Sequence, residues 1–446
     1  MLLYNACSKQ KCGKAIGFDG IAMEALIHGG SRLHVHISIL FNLFIKFSYV
    51  PKSLMKCVII PLVKCKSGDL TDVNNYRAIA VSTTISKLFE SVLSSFVVSS
   101  DDVDAYQFGF KSGHSTSLCT NVFKNTIDYY TGHGSHVFTC FIDFTKAFDR
   151  VNYWKLFNKL LDDNCNVAAV KLIAYWYSYQ EVCVNWHNTV SEFFTLGNGT
   201  RQGGVLSPRF FARYIRELLM KIVGSDVGCN VGGMMMNILA YADDIVLMAP
   251  SWRGLQFLLD MAYDHICEID MIINTAKSVC MVFSPRNRSK VVCSSFPLFR
   301  MGCDKLQYVN SFRYLGHRIV DSNNDDDDIL REISNMFVRT NILIRRFSKC
   351  SISVKTVLFR AYCLCMYDVC LWRRYNVGTL KKLRSCYYRC IKLFFAYKRR
   401  DSMTCILYEL GLPSFDTLRI NSVASFERQC DMCNNRLIRY MQELHM

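Results

Sequence analysis

Two adjacent carboxylates, Asp243 and Asp244, stand between two short apolar runs of the chain, at residues 238–240 and 245–248. Both runs are rich in branched residues, which predicts two strands joined by a tight hairpin with Ala242 and the aspartates at its turn. Like charges repel each other at a half-buried turn, and neither is well solvated there. A divalent cation would remove this penalty. The alternative, for these residues taken alone, is a solvated acidic turn.

A further carboxylate, Asp143, follows an apolar run at Val137–Ile142 that predicts a strand. It lies about a hundred residues before the acidic hairpin. If the two strands are neighbours in one sheet, the three carboxylates converge. Three carboxylates can hold two Mg²⁺ ions about 4 Å apart, the arrangement that serves phosphoryl transfer. Magnesium prefers hard oxygen ligands, which these side chains supply.

The positive charge of the chain is concentrated in one segment. The net charge is +16, and residues 331–400 hold seventeen Lys and Arg against two acids, Glu332 and Asp368. Aromatic residues are interleaved with these cations, a combination typical of a nucleic-acid contact surface. The alternative is a solvated helical face, although such faces usually mix both signs.

With 446 residues and 51% hydrophobic residues, the chain is expected to form two to four folded domains. We find no bilayer-length apolar stretch and no signal-peptide core, so we expect an intracellular protein of the nucleus or cytoplasm, neither secreted nor membrane-bound. The 22 cysteines are scattered, which favours reduced thiols in the core over a disulfide framework. Cys430 and Cys433 form a lone CxxC pair, which is weak support for a metal site.

Strands and helices alternate in the first three quarters of the chain, and helices alone are predicted after Ile329. This order predicts an α+β body followed by an all-α module. Predicted strands cover residues 58–63, 76–81, 137–142, 278–283 and 312–319. Predicted helices cover residues 37–50 (a core helix), 84–98, 152–161, 209–223 and 254–269. The acidic run at residues 325–328 is interpreted as a linker.

Seven short motifs, in this order, resemble those of reverse transcriptases from non-LTR retrotransposons. They span roughly residues 17–320 and comprise Asn-Asn-Tyr-Arg at 74–77, Gln-Phe-Gly-Phe at 107–110 with Ser-Thr at 115–116, Phe-Ile-Asp-Phe-Thr-Lys-Ala-Phe-Asp-Arg-Val at 141–151, Gly-Thr-Arg-Gln-Gly-Gly-Val-Leu-Ser-Pro at 199–208, Tyr-Ala-Asp-Asp at 241–244, Asn274 with Lys277-Ser278, and Phe-Arg-Tyr-Leu-Gly at 312–316.

The resemblance implies metal and catalytic roles for particular residues. Asp143, Asp243 and Asp244 match the metal-binding carboxylates, and the carbonyl of Phe144 would complete the shell of one ion. Lys277 matches a lysine that protonates pyrophosphate, although a solvated strand-edge lysine is the alternative. Asp149 is interpreted as a helix cap or ion-pair partner rather than a ligand.

The resemblance also implies nucleotide and primer contacts. Phe148 matches the aromatic residue that excludes a 2′-hydroxyl, with plain core packing as the alternative. Arg77, and more loosely Lys64, would meet the triphosphate. Gln202 would contact the template and the nucleotide, and the glycines beside it, Gly203 among them, permit close backbone approach. The hairpin that holds the primer end is matched by Phe312, Tyr314, Leu315 and Gly316.

The implied fold is α+β, a right-hand polymerase with a fingers region at 1–130, a palm with an antiparallel sheet at 131–322, and a helical basic thumb with a C-terminal extension at 329–446. The implied reaction is RNA-directed addition of deoxynucleotides to a DNA primer, with two Mg²⁺ ions, in target-primed reverse transcription.

One further expectation and two alternative functions accompany the resemblance. We recognise no endonuclease segment, so a partial reading frame is expected and the nick must come from a separate nuclease. An RNA-dependent RNA polymerase is one alternative, against which Phe148 argues. A catalytically inert nucleic-acid-binding remnant is the other, and departures from the motifs such as Ala78 and Lys111 leave it open.

Overall fold

The computed structural model describes residues 2–97, 105–291, 293 and 295–443. Its helices are α1 Leu2–Ser8, α2 Met23–His28, α3 Gly30–Phe47, α4 Lys52–Met55, α5 Thr84–Leu93, α6 Thr116–Gly132, α7 Tyr153–Asp162, α8 Val167–Ser178, α9 Ser207–Tyr214, α10 Arg216–Val223, α11 Trp252–Glu268, α12 Asp326–Phe347, α13 Ile352–Cys363, α14 Val377–Phe395, α15 Met403–Leu410, α16 Phe415–Met432 and α17 Arg436–Glu443. Its strands are β1 Lys56–Val63, β2 Tyr76–Ser82, β3 Val137–Ile142, β4 Glu181–Trp186, β5 Thr189–Val190, β6 Phe194–Thr195, β7 Asn230–Val231, β8 Met234–Met235, β9 Ile238–Tyr241, β10 Asp244–Ala249, β11 Val279–Phe283, β12 Arg300–Met301, β13 Asp304–Lys305, β14 Gln307–Tyr308, β15 Ser311–Tyr314 and β16 His317–Val320.

The chain forms two compact units, each assembled from separate stretches of sequence. The first unit comprises Met1–Asp104, Phe144–Lys221 and Ala262–Asn274, and the second comprises Ala105–Asp143, Ile222–Met261 and Thr275–Met446. The predicted fingers, palm and thumb were three successive ranges, and this division stays a prediction.

The first unit contains a five-stranded sheet in the order β2-β1-β4-β5, with β6 also paired to β4. Strands β1 and β2 are antiparallel, with Val63 opposite Tyr76 at the loop end of their hairpin. Helices pack around an aromatic cluster in which Phe89 contacts Phe41 and Phe44 from α3 and stacks on Trp176 from α8, with ring centroids 5.8 Å apart in the stack. Helix α8 and strands β4 to β6 were not predicted from the sequence.

Helix α3 is only partly a core helix, although residues 37–50 were predicted to be one. Phe41 and Phe44 are buried, whereas Ile39, Leu43 and Phe47 are exposed, so one apolar face remains uncovered. Across the described residues, every helix is too short or too polar to cross a membrane.

The second unit contains the sheet β14-β11-β3-β10-β9. Strand β3 occupies its centre, and all six of its residues are buried. A strand covered on both faces is mostly apolar, which is why Val137–Ile142 is a nearly continuous hydrophobic run, with Thr139 as its polar residue, rather than an alternating one. Its bounds agree with the sequence prediction.

The C-terminal helices of the second unit pack around a core of their own. Leu343 from α12, Phe359 from α13, and Tyr387 and Phe394 from α14 are buried in this core. The prediction of helices after Ile329 is therefore confirmed.

The acidic run at 325–328 is not a linker, contrary to the sequence prediction. Asp325 and Asp328 are 1% and 0% exposed, and α12 begins within the run. Asp325 forms an ion pair with Lys124, which is also buried, and lies 3.3 Å from a ring nitrogen of His317. Asp328 pairs with Arg331 at 2.6 Å. Cations compensate for the burial of these carboxylates: Lys124 of α6 pairs with Asp325, and Arg331 of α12 itself pairs with Asp328.

All 22 cysteines carry free thiols, and thirteen of them are buried. Cys430 and Cys433 are both among the buried ones.

Candidate active site

The acidic motif forms the predicted hairpin. Tyr241 pairs with Asp244 across β9 and β10, so Ala242 and Asp243 make a two-residue turn. Ala242 has a φ of +59°, a backbone conformation that is unusual for a residue other than glycine. Short turns of this kind match the twist of the flanking strands.

The sheet brings the third carboxylate to the same end. Strands β3 and β10 are antiparallel neighbours, and Ile142 lies opposite Ile245. Asp143 follows Ile142 and Asp244 precedes Ile245, so these two aspartates face each other across the strand pair. The backbone N–H of Asp143 donates a hydrogen bond to the Ser278 hydroxyl, 3.0 Å away, beside β11.

The carboxylates perturb one another. The pKa of Asp244 is raised to about 6, first because surrounding protein displaces water from its carboxyl and then because Asp243 and Asp143 repel its charge. The side chain of Asp244 nonetheless keeps contact with solvent, so it is open to a ligand from the cleft. Mutual repulsion among all-oxygen donors is the chemistry that a divalent cation relieves, and in this respect the residues fit Mg²⁺.

Asp143 and Asp244 line an open cleft and do not form a closed cage. Among the described residues, no three His, Cys, Asp or Glu side chains are grouped as a ready-made metal site. This is consistent with magnesium sites in which water and substrate phosphates supply the remaining ligands.

The cleft has a volume of about 270 Å³ and brings together residues that were predicted to be catalytic and residues of the predicted primer hairpin. Its lining is Phe141, Ile142, Asp143, Asp244, Ile245, Lys277, Phe312 and Tyr314. A larger cavity of about 520 Å³ in the second unit, lined in part by Arg286 and Arg374, contains none of the predicted site residues.

The predicted primer hairpin is formed by β15 and β16, where a single strand over residues 312–319 was expected. Tyr314 pairs with His317, and the turn residues Leu315 and Gly316 both have positive φ, +49° and +94°. Phe312 stacks on Phe141 of β3, with ring centroids 4.5 Å apart. Tyr314 is buried, and its hydroxyl lies 3.4 Å from the Cys119 sulfur. The hairpin is therefore anchored to the strand that carries Asp143.

The remaining predicted site residues lie in the first unit. Arg77 and Lys64 are exposed at the loop end of the β1–β2 hairpin, where the Lys64 ammonium donates to the Asn74 carbonyl at 2.8 Å. Phe144, whose carbonyl was predicted as a ligand, begins a stretch of this unit. The ligand role of Phe144 stays a prediction.

Phe148 and the glycine-rich turn are joined through the backbone. The Phe148 ring is half-buried and stacks on Phe211 at 4.7 Å, and its carbonyl accepts a hydrogen bond from Thr200 N–H at 2.7 Å. Next to Gln202, Gly203 has a φ of +107°, and a Cβ there would lie 2.8 Å from a backbone oxygen of β2. Only glycine fits this position without displacement of the strand.

Two supports of the site were missed in the sequence. A buried ion pair joins Arg201 of the glycine-rich turn to Glu90 of α5 at 2.5 Å, and Glu90 also accepts from the N–H groups of Val205 and Leu206. In the sequence, the acidic residue Glu90 within the apolar face of α5 was the signal that could have indicated this ion pair. The second support is Gln107, which contacts the acidic turn. Asp149 does not cap α7, contrary to one of its two interpretations, because Asn152 holds that position.

An open cleft lined by Asp143, Asp244 and Lys277, with Asp243 next in the chain to Asp244 and a hairpin stacked beside it, has the composition of a nucleotidyl-transfer site. The family described as reverse transcriptase (RNA-dependent DNA polymerase) matches residues 64–319, more than half of the chain. This chain belongs to the reverse transcriptase family, and the predicted α+β fold of the right-hand polymerase type and the predicted enzyme class are those of the family.

The chain is similar to polymerases of non-LTR elements, as predicted. It is 26% identical over 320 residues to the Pol polyprotein of type-2 retrotransposable element R2DM of Drosophila melanogaster, covering 69% of this chain and 29% of the relative. Identity to the RNA-directed DNA polymerase of mobile element jockey from Drosophila funebris is 24%, over 69% of this chain and 34% of the relative. For the D. melanogaster transposon X-element polymerase the identity is 23%, over 79% and 38%. The chain thus spans about a third of the length of these relatives.

Among solved structures, apo telomerase from Candida tropicalis, truncated from its C-terminal domain, superposes with a TM-score of 0.41 at 11% identity, covering 65% of this chain and 59% of that one. We draw no argument from this weak similarity.

Proposed function

We propose that this chain is an RNA-directed DNA polymerase that adds deoxynucleotides to the 3′ end of a DNA primer by two-metal phosphoryl transfer. The observation that supports this most directly is the arrangement of Asp143, Asp243 and Asp244 at one end of neighbouring strands, inside the segment that matches the family. Catalysis of this kind relies on positioning and on electrostatic stabilisation.

In this proposal the three aspartates hold two Mg²⁺ ions, with the Phe144 carbonyl as a further ligand. The bound ions would supply the positive charge that stabilises the attacking and departing oxygens. Lys277, which lines the same cleft as Asp143 and Asp244, donates a proton to the departing pyrophosphate. The hairpin of Phe312, Tyr314, Leu315 and Gly316 holds the primer end beside them.

The partners in this proposal are an RNA template, a DNA primer and deoxynucleoside triphosphates. Arg77 and Lys64 meet the triphosphate, Gln202 and Gly203 contact the nucleotide and template, and Phe148 selects the sugar. The cationic segment at 331–400 holds the nucleic-acid backbone. In the cell the primer is nicked genomic DNA, as in target-primed reverse transcription.

The test is primer extension on a poly(A) RNA template with an oligo(dT) primer, deoxythymidine triphosphate and magnesium. We expect extension by the parent chain and none by the Asp243→Asn, Asp244→Asn double variant, because neutral amides bind Mg²⁺ poorly. Asp226→Asn is the matched control, since Asp226 is an exposed turn residue of the same unit and asparagine tolerates its φ of +53°.

A parent chain that is folded and binds RNA but does not extend the primer would contradict the proposal. That result would instead favour the inert nucleic-acid-binding remnant.

A further inference from the structure

The side-chain amide of Gln107 forms hydrogen bonds with both the backbone N–H and the backbone carbonyl of Ala242, in the acidic turn. Its side-chain oxygen accepts a hydrogen bond from the Ala242 N–H at 2.8 Å, and its side-chain nitrogen donates to the Ala242 carbonyl at 3.3 Å. The same oxygen accepts from Gly109 N–H at 2.8 Å. Gln107 is 1% exposed, so no water competes for these bonds.

The backbone around Gln107 continues the contact. Phe108 N–H donates to the Ala240 carbonyl at 2.7 Å, so the chain runs along the outer edge of β9 like a short parallel strand. A Cβ on Gly109 would stand 2.3 Å from the Ala242 nitrogen, so the two backbones are in direct contact. Ala242 keeps its unfavourable positive φ because its surroundings hold it there.

The other side of the segment at 105–115 is held by the C-terminal helices. The Asn435 side chain, which is buried, donates to the Ala105 carbonyl at 2.7 Å. Gln429 donates to the Gly113 carbonyl at 3.2 Å and accepts from the Ser115 hydroxyl at 3.3 Å. Gln429 and Asn435 thus contact the two ends of the segment at 105–115. Gln107, which lies between these ends, forms the hydrogen bonds to the acidic turn.

We propose that Gln107 is a positioning residue for Asp243 and Asp244, and that Gln429 and Asn435 keep Gln107 in place. Asp243 and Asp244 are the next two residues after Ala242, so the orientation of the Ala242 peptide group influences where their carboxylates point. The C-terminal helices thereby act on the metal site through the 105–115 segment. This inference rests on the proposed metal-binding role of the aspartates.

The first measurement is Mn²⁺ binding to the full chain, followed by the loss of the free-ion electron paramagnetic resonance signal. Gln107→Met keeps the side-chain length but removes the amide, and we expect its Mn²⁺ affinity to fall about tenfold, as is typical when a partner that orients a metal ligand is lost. The matched control is Gln180→Met, since Gln180 is equally buried and bonds the Tyr153 hydroxyl at 2.5 Å in the first unit. We expect parent-like affinity from this control.

The second measurement separates positioning from folding. Gln429→Met with Asn435→Leu leaves Gln107 intact, and we expect a smaller loss of Mn²⁺ affinity in the same direction, with a matching fall in the kcat of primer extension and little change in KM for the nucleotide. Asn434→Ala is its control, because Asn434 is exposed and, within the described part of the chain, its side chain bonds only to Arg439 of the same C-terminal segment. If Gln107→Met does not fold, this double variant decides the question alone.

Parent-like Mn²⁺ affinity and kcat in a folded Gln107→Met variant would overturn the inference and leave the proposed function intact. An equal loss in Gln180→Met would also overturn it, because the effect would then be general destabilisation. A parent chain that neither binds Mn²⁺ nor extends a primer would remove the proposed function and the inference together.

Discussion

Lys277 lines the cleft that contains Asp143 and Asp244, and its proposed role is to give a proton to the leaving group. We expect Lys277→Leu to lower kcat about 100-fold with little change in KM, because general acids act in the transition state. Lys277→Arg keeps the positive charge but binds its proton too tightly to donate it. Single-turnover extension should show both variants to be slow; full activity in Lys277→Arg would mean that charge alone is required.

Phe148 is held by its stack on Phe211 and by the backbone of the glycine-rich turn. We expect Phe148→Val to improve ribonucleotide use relative to deoxynucleotide use by about tenfold or more, because steric exclusion of one small group is worth roughly this much. The measurement is the ratio of kcat/KM for the two sugars. Phe211→Leu should give a smaller shift, since it loosens the Phe148 ring without removing it; an unchanged ratio in Phe148→Val would contradict sugar selection and revive the RNA polymerase alternative.

At the scale of elements, a buried charge network joins the primer hairpin to the first helix of the C-terminal bundle. The ring of His317, which starts β16, lies 3.3 Å from a carboxylate oxygen of Asp325, 3.3 Å from Asp328 and 3.5 Å from Asp368. Lys124 of α6 also faces this ring, at 3.4 Å. The hairpin, α6 and α12 therefore share one set of charges.

This network predicts a pH-dependent stability. Burial alone would lower the pKa of His317, but hydrogen bonds to Asp325 and Asp368 outweigh burial and raise the pKa above 6.5. A raised pKa favours the protonated form in the folded state, so this contribution is complete below pH 6.5 and is lost as the pH rises through the folded-state value. The pKa values of Asp325 and Asp328 are lowered, so these two residues affect stability in the acidic pH range. Their contribution is lost as the pH falls below their ordinary pKa of 3.8.

We expect the free energy of unfolding in urea to decline as the pH rises above 6.5, with a slope of at most about 1.4 kcal/mol per pH unit from this one proton. His317→Gln should flatten this decline. His133→Gln is the control, because His133 is an exposed residue of the same unit. Identical pH profiles for the parent and His317→Gln would show that His317 is not protonated in the folded state.

The same elements show why part of the fold could be predicted and part could not. Strand β3 and the β9–β10 hairpin were predicted closely because their apolar residues are contiguous and the turn is local. The run at 325–328 was misread because its partners, Lys124 and His317, are outside the local sequence window. The role of Gln107 was missed for the same reason, since its partner Ala242 is 135 residues away. Helices α9 and α10 were predicted as one, but a break falls at Ile215.

At the scale of the whole molecule, the excess positive charge lies in the cationic segment at 331–400. Lys381 and Lys382 at the start of α14 are both exposed. If both contact phosphates, Lys381→Gln with Lys382→Gln should reduce the slope of log K against log salt concentration for an RNA–DNA duplex by about 2, roughly one per contact. Fluorescence anisotropy at several salt concentrations measures this slope.

The control for charge alone is Lys9→Gln with Lys11→Gln, two exposed lysines of the N-terminal region. An equal change of slope in both double variants would mean that net charge, and not the cationic segment, governs binding.

The central position of β3 has a consequence for the newly made chain. Its neighbours β10 and β11 are synthesised about a hundred residues or more after it, so the emerging polypeptide must keep a mostly apolar strand unpaired until they leave the ribosome. Such long-range pairing is slow, and hydrophobic surface stays exposed until it is complete. Asp143 gains its facing partner only when β10 arrives, and Gln429 and Asn435, which contact the segment of Gln107, are synthesised later than β10. A ribosome that stops before β10 therefore releases an aggregation-prone product in which Asp143 has no facing aspartate.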